Sequence, residues 1–307
     1  EASFQSAVRD PIGSLPLVEV AKRALAKARS ESREPKVVIA VADHTRPVPD
    51  HLLLPWITAE LGLPDTCVTI LIGTGTHRGS TREEMVRMLG EAAGRFRVVN
   101  HDCQDAANLV HVGSSSCGGE CWLNRLWVEA DLRITTGFIE PHFYAGFSGG
   151  SKALVPGIAG LETVRHFHRA SLIAHPHATW ARFFDNPLQA LTREMVALFP
   201  PHFIVNVTLN HSKAITGIFA GELVAAHNAG CAAALAEAAS ITKAYSSEAF
   251  FFNAGCGIQL HGGVGITAEY DIQLYFKRAN ALQSFLGNAS YHRERLAKQL
   301  LDSEVLS

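Results

Sequence analysis

Two short apolar runs, Val-Val-Ile-Ala-Val at residues 37–41 and Cys-Val-Thr-Ile-Leu-Ile at 67–72, most constrain the fold of this chain. A strand that is apolar along its whole length is covered on both faces, which is the habit of parallel sheets. Residues 96–99, 132–135 and 203–209 read as further strands. Amphipathic stretches at about 17–30, 51–61, 81–91 and 187–198 read as helices, and Ser80 with Glu83 offers a capping box for the third. Strands alternating with helices predict a doubly wound, mostly parallel α/β domain. Ligands in such sheets sit beyond the carboxyl ends of the strands. The motif Asp43-His-Thr-Arg46 directly follows the first run, residues 73–78 follow the second, and His142 follows the run at 132. Three polar motifs are therefore expected at one edge of one sheet.

The densest of these motifs is Phe138-Ile-Glu-Pro-His142-Phe-Tyr-Ala-Gly-Phe-Ser-Gly-Gly-Ser-Lys152, followed by Val155-Pro-Gly-Ile-Ala-Gly160 and Arg165-His-Phe-His168. Glycine lacks a Cβ and proline fixes φ, so such a frame lets backbone approach a ligand closely. Histidines and a lysine at its bends mark it as a binding loop rather than core.

Composition narrows the classes. The 307 residues suffice for two domains. Charge is nearly balanced, 27 basic against 29 acidic residues, so no nucleic-acid partner is expected. No apolar run reaches the ~18 residues of a membrane helix, and there is no secretory leader with a charged start and apolar centre. A chain opening on Glu1 without Met is read as lacking its own start. Six scattered cysteines in a chain of this length suggest reduced thiols and a cytoplasmic setting. Cys117 and Cys121 lack a second pair to complete a zinc site.

Over roughly residues 10–230 the chain resembles the N-terminal domain of the lactate racemase family. The resemblance rests on Pro-His-x-x-Ala-Gly-x-Ser-Gly-Gly-x-Lys-x-x-x-Pro-Gly at 141–157, on Asp43-His-Thr-Arg46-Pro-Val-Pro49, and on Thr74-Gly-Thr-His77-Arg78, in the family's order and spacing. It implies a racemase or epimerase of lactate-like 2-hydroxy acids and a nickel-pincer nucleotide, a nickel-bearing pyridinium thioamide/thiocarboxylate mononucleotide. It also implies that separate proteins build that cofactor. Breaking the C–H bond beside a carboxylate is easier with hydride leaving than with a proton leaving, and no side chain accepts hydride, hence the cofactor.

By the same resemblance His77 and His142 are the two acid/bases, one for each enantiomer. Lys152 matches the lysine that bonds the cofactor's thioacyl group, and His168 matches the nickel ligand. Asp43 and Arg46 match cofactor contacts, with Arg46 also forking onto the substrate carboxylate. Plainer roles stand beside these: phosphate contact for His77, a structural hydrogen bond for His142, a phosphate-binding role for Lys152, and an Asp43–Arg46 ion pair. His166 competes with His168 for the metal. Lys152 does not fit the Walker pattern, because no glycine immediately precedes it. Asn100-His101-Asp102 reads as support behind the site.

After about residue 232 the α/β pattern stops. An Ala-rich helix is predicted at 232–253, followed by Gln259-Leu-His-Gly262-Gly-Val-Gly265. Residues 233–305 resemble the C-terminal helices of acyl-CoA dehydrogenases, in which that turn contacts flavin. The rest of a dehydrogenase is absent, so FAD is not expected. Gln273 and Lys277 sit in the dehydrogenase-like context and take no racemase role. The expectation is a domain at 1–232 joined to a helical segment at 233–307, the latter a possible oligomerisation element. The alternative to an active racemase is a cofactor-binding remnant, or chimeric fragment, without the racemase C-terminal domain.

Overall fold

The computed structural model describes residues 1–262, 267 and 271–304, without the side chains of 299–304. Contacts divide the chain into two compact units, Glu1–Ala232 and Ala233–Ser307.

The first unit is built on a six-stranded sheet. Its parallel strands are β1 (Val37–Ala42), β2 (Val68–Gly73), β3 (Arg97–Asn100), β6 (Leu132–Phe138) and β9 (Phe203–Leu209); β10 (Ile215–Gly221) pairs antiparallel with β9 at one edge. Between β3 and β6 lies the hairpin β4 (Leu109–Ser114) and β5 (Glu120–Asn124), and after β6 the two-residue pair β7 (Pro141–His142) and β8 (Gly146–Phe147). The sheet order is β10-β9-β6-β1-β2-β3. The order turns about β1 and β6, and the crevice beyond their carboxyl ends is the place such a sheet offers a ligand.

Alternation along each strand feeds two cores. Val37, Ile39 and Val41 pack with Ile70, Ile134 and Val205 on one face; Val38, Ala40, Leu71 and Ile204 face the other, with Trp127 and Phe167. Both faces are covered, as the apolar runs require. On the first lie helices α1 (Ala2–Arg9), α2 (Leu17–Ala24), α4 (Asp50–Leu61), α5 (Arg82–Leu89) and α6 (Ala92–Arg95), while the short α3 (Ala26–Ser30) follows α2 and buries Ala28. The second is covered by α7 (Arg125–Val128), α8 (Leu161–Phe167), α9 (Ala170–Ile173), α10 (Pro187–Ala197) and the opening of α11 (Leu223–His261).

Three expectations are corrected. The helix expected over 17–30 is interrupted at Leu25, between α2 and α3. The capping box of α5 is Thr81 with Glu84: Thr81 Oγ1 accepts from Glu84 N–H, and Glu84 accepts from Thr81 N–H at 2.7 Å. Ser80 N–H instead donates to Asn100 Oδ1 at 3.0 Å. The segment 138–168 is core as well as loop, since Phe147, Leu154, Val155, Ile158 and Phe167 are fully buried.

The second unit comprises the rest of α11 with α12 (Ile272–Ser284) and α13 (Ala289–Glu304). Its buried side chains are mostly small, Ala244, Ala254, Ala279 and Ala289 among them. Lys243 Nζ donates to the Leu282 carbonyl at 2.9 Å, and Phe251 packs on Phe276 at 5.2 Å. The helix expected at 232–253 runs from Leu223 to His261. Positions 263–265 of the Gly-Gly-Val-Gly turn lie outside the described residues. Among the described residues, no helix is long and apolar enough to cross a membrane.

Candidate functional site

The chain leaving β1 turns at once on Asp43, which is 3% exposed. Thr45 N–H and Oγ1–H donate to Asp43 Oδ1 at 3.1 and 2.6 Å, closing an Asx turn. Asp43 Oδ2 is left to accept from His77 Nδ1 at 2.6 Å. With Nδ1 donating, the neutral imidazole of His77 keeps its lone pair on Nε2. Arg46 lies 3.6 Å from Glu140 and does not pair with Asp43. The plainer alternative of an Asp43–Arg46 ion pair is not formed: Asp43 meets His77 and Arg46 meets Glu140, because the buried carboxylate turns toward β2.

His77 follows β2 through a turn in which Gly75 has φ 57°. Gly75 N–H donates to the Gly157 carbonyl at 2.9 Å, and Thr74 Oγ1–H to the His101 carbonyl at 2.6 Å. The second and third sequence motifs thus meet through backbone. His101 is buried, with Nε2 against the Ala159 carbonyl and Nδ1 against Asn124, so it supports the loop from behind.

After β6 the β7–β8 pair folds back on itself and buries His142, 7% exposed, in a ring stack with Phe143 at 4.7 Å. Ala145 N–H donates to His142 Nδ1 at 3.2 Å, so the neutral ring carries its proton on Nε2. The two histidines therefore present opposite nitrogen states: a lone pair at His77 and an N–H at His142. Burial, then the charges of Lys152 and Arg46, pushes the His142 pKa down to about 3.

Lys152 stands on a 3-10 turn, Gly150–Ala153. Burial, then Arg46, brings its ammonium down to about 7, with Glu140 opposing. The amine lies 5.6 Å from the centre of the Tyr144 ring. His168 ends α8. Its Nδ1–H donates to the Val164 carbonyl at 2.9 Å, leaving the Nε2 lone pair to accept from Tyr144 O–H at 2.8 Å. His166 points elsewhere, to Cys117 Sγ at 3.3 Å and to Arg169.

Asp43, Arg46, His77, His142, Lys152 and His168 all line one cavity of about 210 Å³, and His166 does not. Sequence reasoning missed Tyr144, which touches both His168 and Lys152, and Glu140, which faces Arg46. A tyrosine or glutamate inside a family motif carries no signal until its partner is placed. Tyr144 stands two residues from His142, and that was the one available hint.

Comparison with known proteins places these features. A family model described as the lactate racemase N-terminal domain matches residues 1–181, and one described as the acyl-CoA dehydrogenase C-terminal domain matches residues 216–301. A lactate racemase of Lactiplantibacillus plantarum is 37% identical over 234 residues, covering 75% of this chain and 53% of that protein. One of Thermoanaerobacterium thermosaccharolyticum is 37% identical over 237 residues with the same coverage. The structure of the lactate racemase apoprotein from the latter organism superposes with TM-score 0.69 at 35% identity, over 75% of this chain and 54% of that one. A crystal structure of a Thermotoga maritima protein, 23% identical with TM-score 0.57, over 73% of this chain and 60% of that one, shares the fold. The chain spans about half the length of the curated relatives it matches. With three polar motifs gathered in one cavity and a family model over its first 181 residues, the chain belongs to the lactate racemase family.

Proposed function

We propose that this chain carries the cofactor-binding half of a racemase or epimerase of lactate-like 2-hydroxy acids, with a nickel-pincer nucleotide held in the cavity beyond β1 and β6. The observation that carries the reading is His168. Its Nδ1–H is engaged by a backbone carbonyl, the tautomer of a metal-ligating imidazole, and its Nε2 lone pair accepts only from the hydroxyl of Tyr144, another residue of the cavity lining, which a metal would displace. Among the described residues no three His, Cys, Asp or Glu side chains are grouped to hold an ion. His168 would hold a metal here as a single protein ligand, with the other donors coming from an organic group, which fits a pincer. Lys152, near neutrality and half-buried, suits an amine that bonds or salt-bridges that group. When bound, the cofactor supplies the hydride acceptor that no side chain offers.

The chain's own residues then handle carboxylate and proton. Arg46, its side chain 43% exposed, can exchange Glu140 for the substrate carboxylate. His77 Nε2 would take the hydroxyl proton of one enantiomer, and His142 would do so for the other once its proton moves from Nε2 to Nδ1 and the Ala145 N–H bond to Nδ1 is given up. The wall formed by Phe143 and Tyr144 keeps water from His142.

Incubating cofactor-loaded protein with single enantiomers of several 2-hydroxy acids tests the activity. Loss of optical rotation with at least one acid is expected; constant rotation with all, despite bound nickel, overturns the catalytic claim. The exposure of His77 and Arg46, 54% and 43% at the side chain, favours a second reading. In it the cleft lacks a closing wall, so the cofactor loads while turnover stays low. Replacing residues 233–307 with a racemase C-terminal domain should then raise turnover by orders of magnitude; unchanged turnover rejects it. The six free cysteines support a cytoplasmic setting. Proteins that build the cofactor are partners in trans, and the acyl-CoA dehydrogenase-like helices are an oligomerisation element.

A further inference from the structure

The turn that presents Lys152 is gripped from outside the cavity by two buried side chains that the proposed chemistry does not use. Asn206 on β9 is fully buried, and its Oδ1 accepts from Gly150 N–H at 2.8 Å. His227, in the opening of α11, is 1% exposed, and its Nε2–H donates to the Ser148 carbonyl at 2.8 Å. Burial holds His227 neutral, pushed down to about 4, so it acts as a fixed donor and not as a charge.

Between the two grips the backbone has no slack. Gly149 and Gly150 have φ 76° and 55°. A Cβ on Gly149 would lie 2.8 Å from Asn206 Oδ1, and one on Gly150 would lie 2.6 Å from the His227 ring. Lys152 N–H in turn donates to the Gly149 carbonyl at 3.2 Å, so a shift of residues 148–150 is passed to Lys152. Asn206 Nδ2 has no partner among the described residues. A buried amide half left unsatisfied is a cost that an apolar residue of similar size avoids, so core packing alone does not account for Asn206.

We propose that Asn206 and His227 are positioning residues that pin the Ser148–Gly150 turn and thereby hold the Lys152 amine at its desolvated place in the cavity. The proposal rests on the reading of Lys152 as the cofactor's anchor. The titratable and charged groups facing that amine come from several elements. They are Arg46 after β1, Glu140 and His142 around β7, Tyr144 beyond it, His168 at the end of α8, and His227 behind the turn. Substitution at 206 changes none of them, so a changed Lys152 reports a changed position.

The test uses the whole chain without cofactor and trace acetic anhydride across a pH series. Acetic anhydride acetylates only the neutral amine: an N–C bond forms, acetate leaves and the nitrogen's proton passes to solvent. Peptide mass spectrometry then reads Lys152 against the exposed Lys213 as internal standard. Wild type should show a Lys152 half-point near 7. Asn206→Ala, and His227→Phe, which keeps a ring but loses the donor, should raise the half-point by at least one unit. Labelling at pH 7 then falls at least about fivefold. His227→Gln retains an N–H donor and should stay near wild type, a rescue that loss of packing alone does not give. If Asn206→Ala fails to fold by circular dichroism, the His227→Phe and His227→Gln pair decides. A depressed wild-type half-point that neither Asn206→Ala nor His227→Phe moves overturns the proposal and leaves the lysine reading standing. A wild-type half-point above about 10, the ordinary lysine range, overturns both.

Discussion

Asp43 accepts a 2.6 Å hydrogen bond from His77 Nδ1 across the carboxyl ends of β1 and β2, while Thr45 occupies the other carboxylate oxygen. One buried carboxylate thereby fixes both the loop after β1 and the imidazole after β2. The free Nε2 of His77 is a consequence of that single contact.

Asp43→Asn should leave the fold intact and lower racemisation by about a hundredfold or more, the range of a displaced general base. The orienting claim has a readout independent of activity. Nitrogen NMR of the free chain should show His77 mainly as the Nδ1–H tautomer, and Asp43→Ala should mix the tautomers. An unchanged tautomer ratio shows that Asp43 does not orient the ring.

His168→Ala should lose nickel from cofactor-loaded protein, whereas His166→Ala should retain it, because only His168 lines the cavity and His166 is engaged with Cys117. Metal analysis of both variants reads the difference. Retention by His168→Ala with loss by His166→Ala moves the ligand by two residues.

Gly157 joins the two histidine-bearing motifs through its carbonyl, and a Cβ there would lie 2.1 Å from the Ala153 carbonyl oxygen. Gly157→Ala should therefore destabilise the first unit by about 2–3 kcal/mol, the cost of forcing an overpacked backbone apart. Urea unfolding measures it; an unshifted midpoint contradicts the close approach.

Asp50, buried at the start of α4, donates nothing to the proposed chemistry but titrates unusually. Burial pushes its carboxyl up to about 7, against the ordinary 3.8, with the Thr136 hydrogen bond opposing. The folded chain then binds an extra proton between those values. Stability from this group is full below about 4 and is lost as pH rises toward 7, at up to about 1.4 kcal/mol per unit. Histidines depressed by burial, such as His142 and His227, give the opposite slope, so the comparison is with Asp50→Asn. Between pH 5 and pH 7 wild type should lose stability relative to Asp50→Asn; parallel curves show that Asp50 is already ionised in the fold.

The parallel strands were legible because residues such as Val37 to Val41 are apolar on both faces, and two-sided burial leaves no other reading. Convergence of the motifs followed from that sheet alone. The hairpin β4–β5 and the antiparallel edge β10 were not legible: His111, Glu120 and Thr216 break the apolar pattern, and β10 reads only as a partner of β9. The opening of α11 was missed because Leu223 and Ala226 are buried against the sheet, whereas the Ala-rich signal begins later. In the site, the identities of the ionisable residues were readable but their pairings were not. Arg46 meeting Glu140, and Tyr144 meeting His168, are long-range geometry that spacing does not encode.

The central claim is that the cavity beyond β1 and β6 holds a nickel-bearing nucleotide through Lys152 and His168. Producing the chain together with cofactor-synthesis proteins, then measuring nickel per chain and intact mass, tests it most directly. The account predicts close to one nickel and one nucleotide per chain, both lost together in the Lys152→Ala, His168→Ala double variant. Equal nickel and nucleotide in wild type and double variant, or none in wild type, would contradict it.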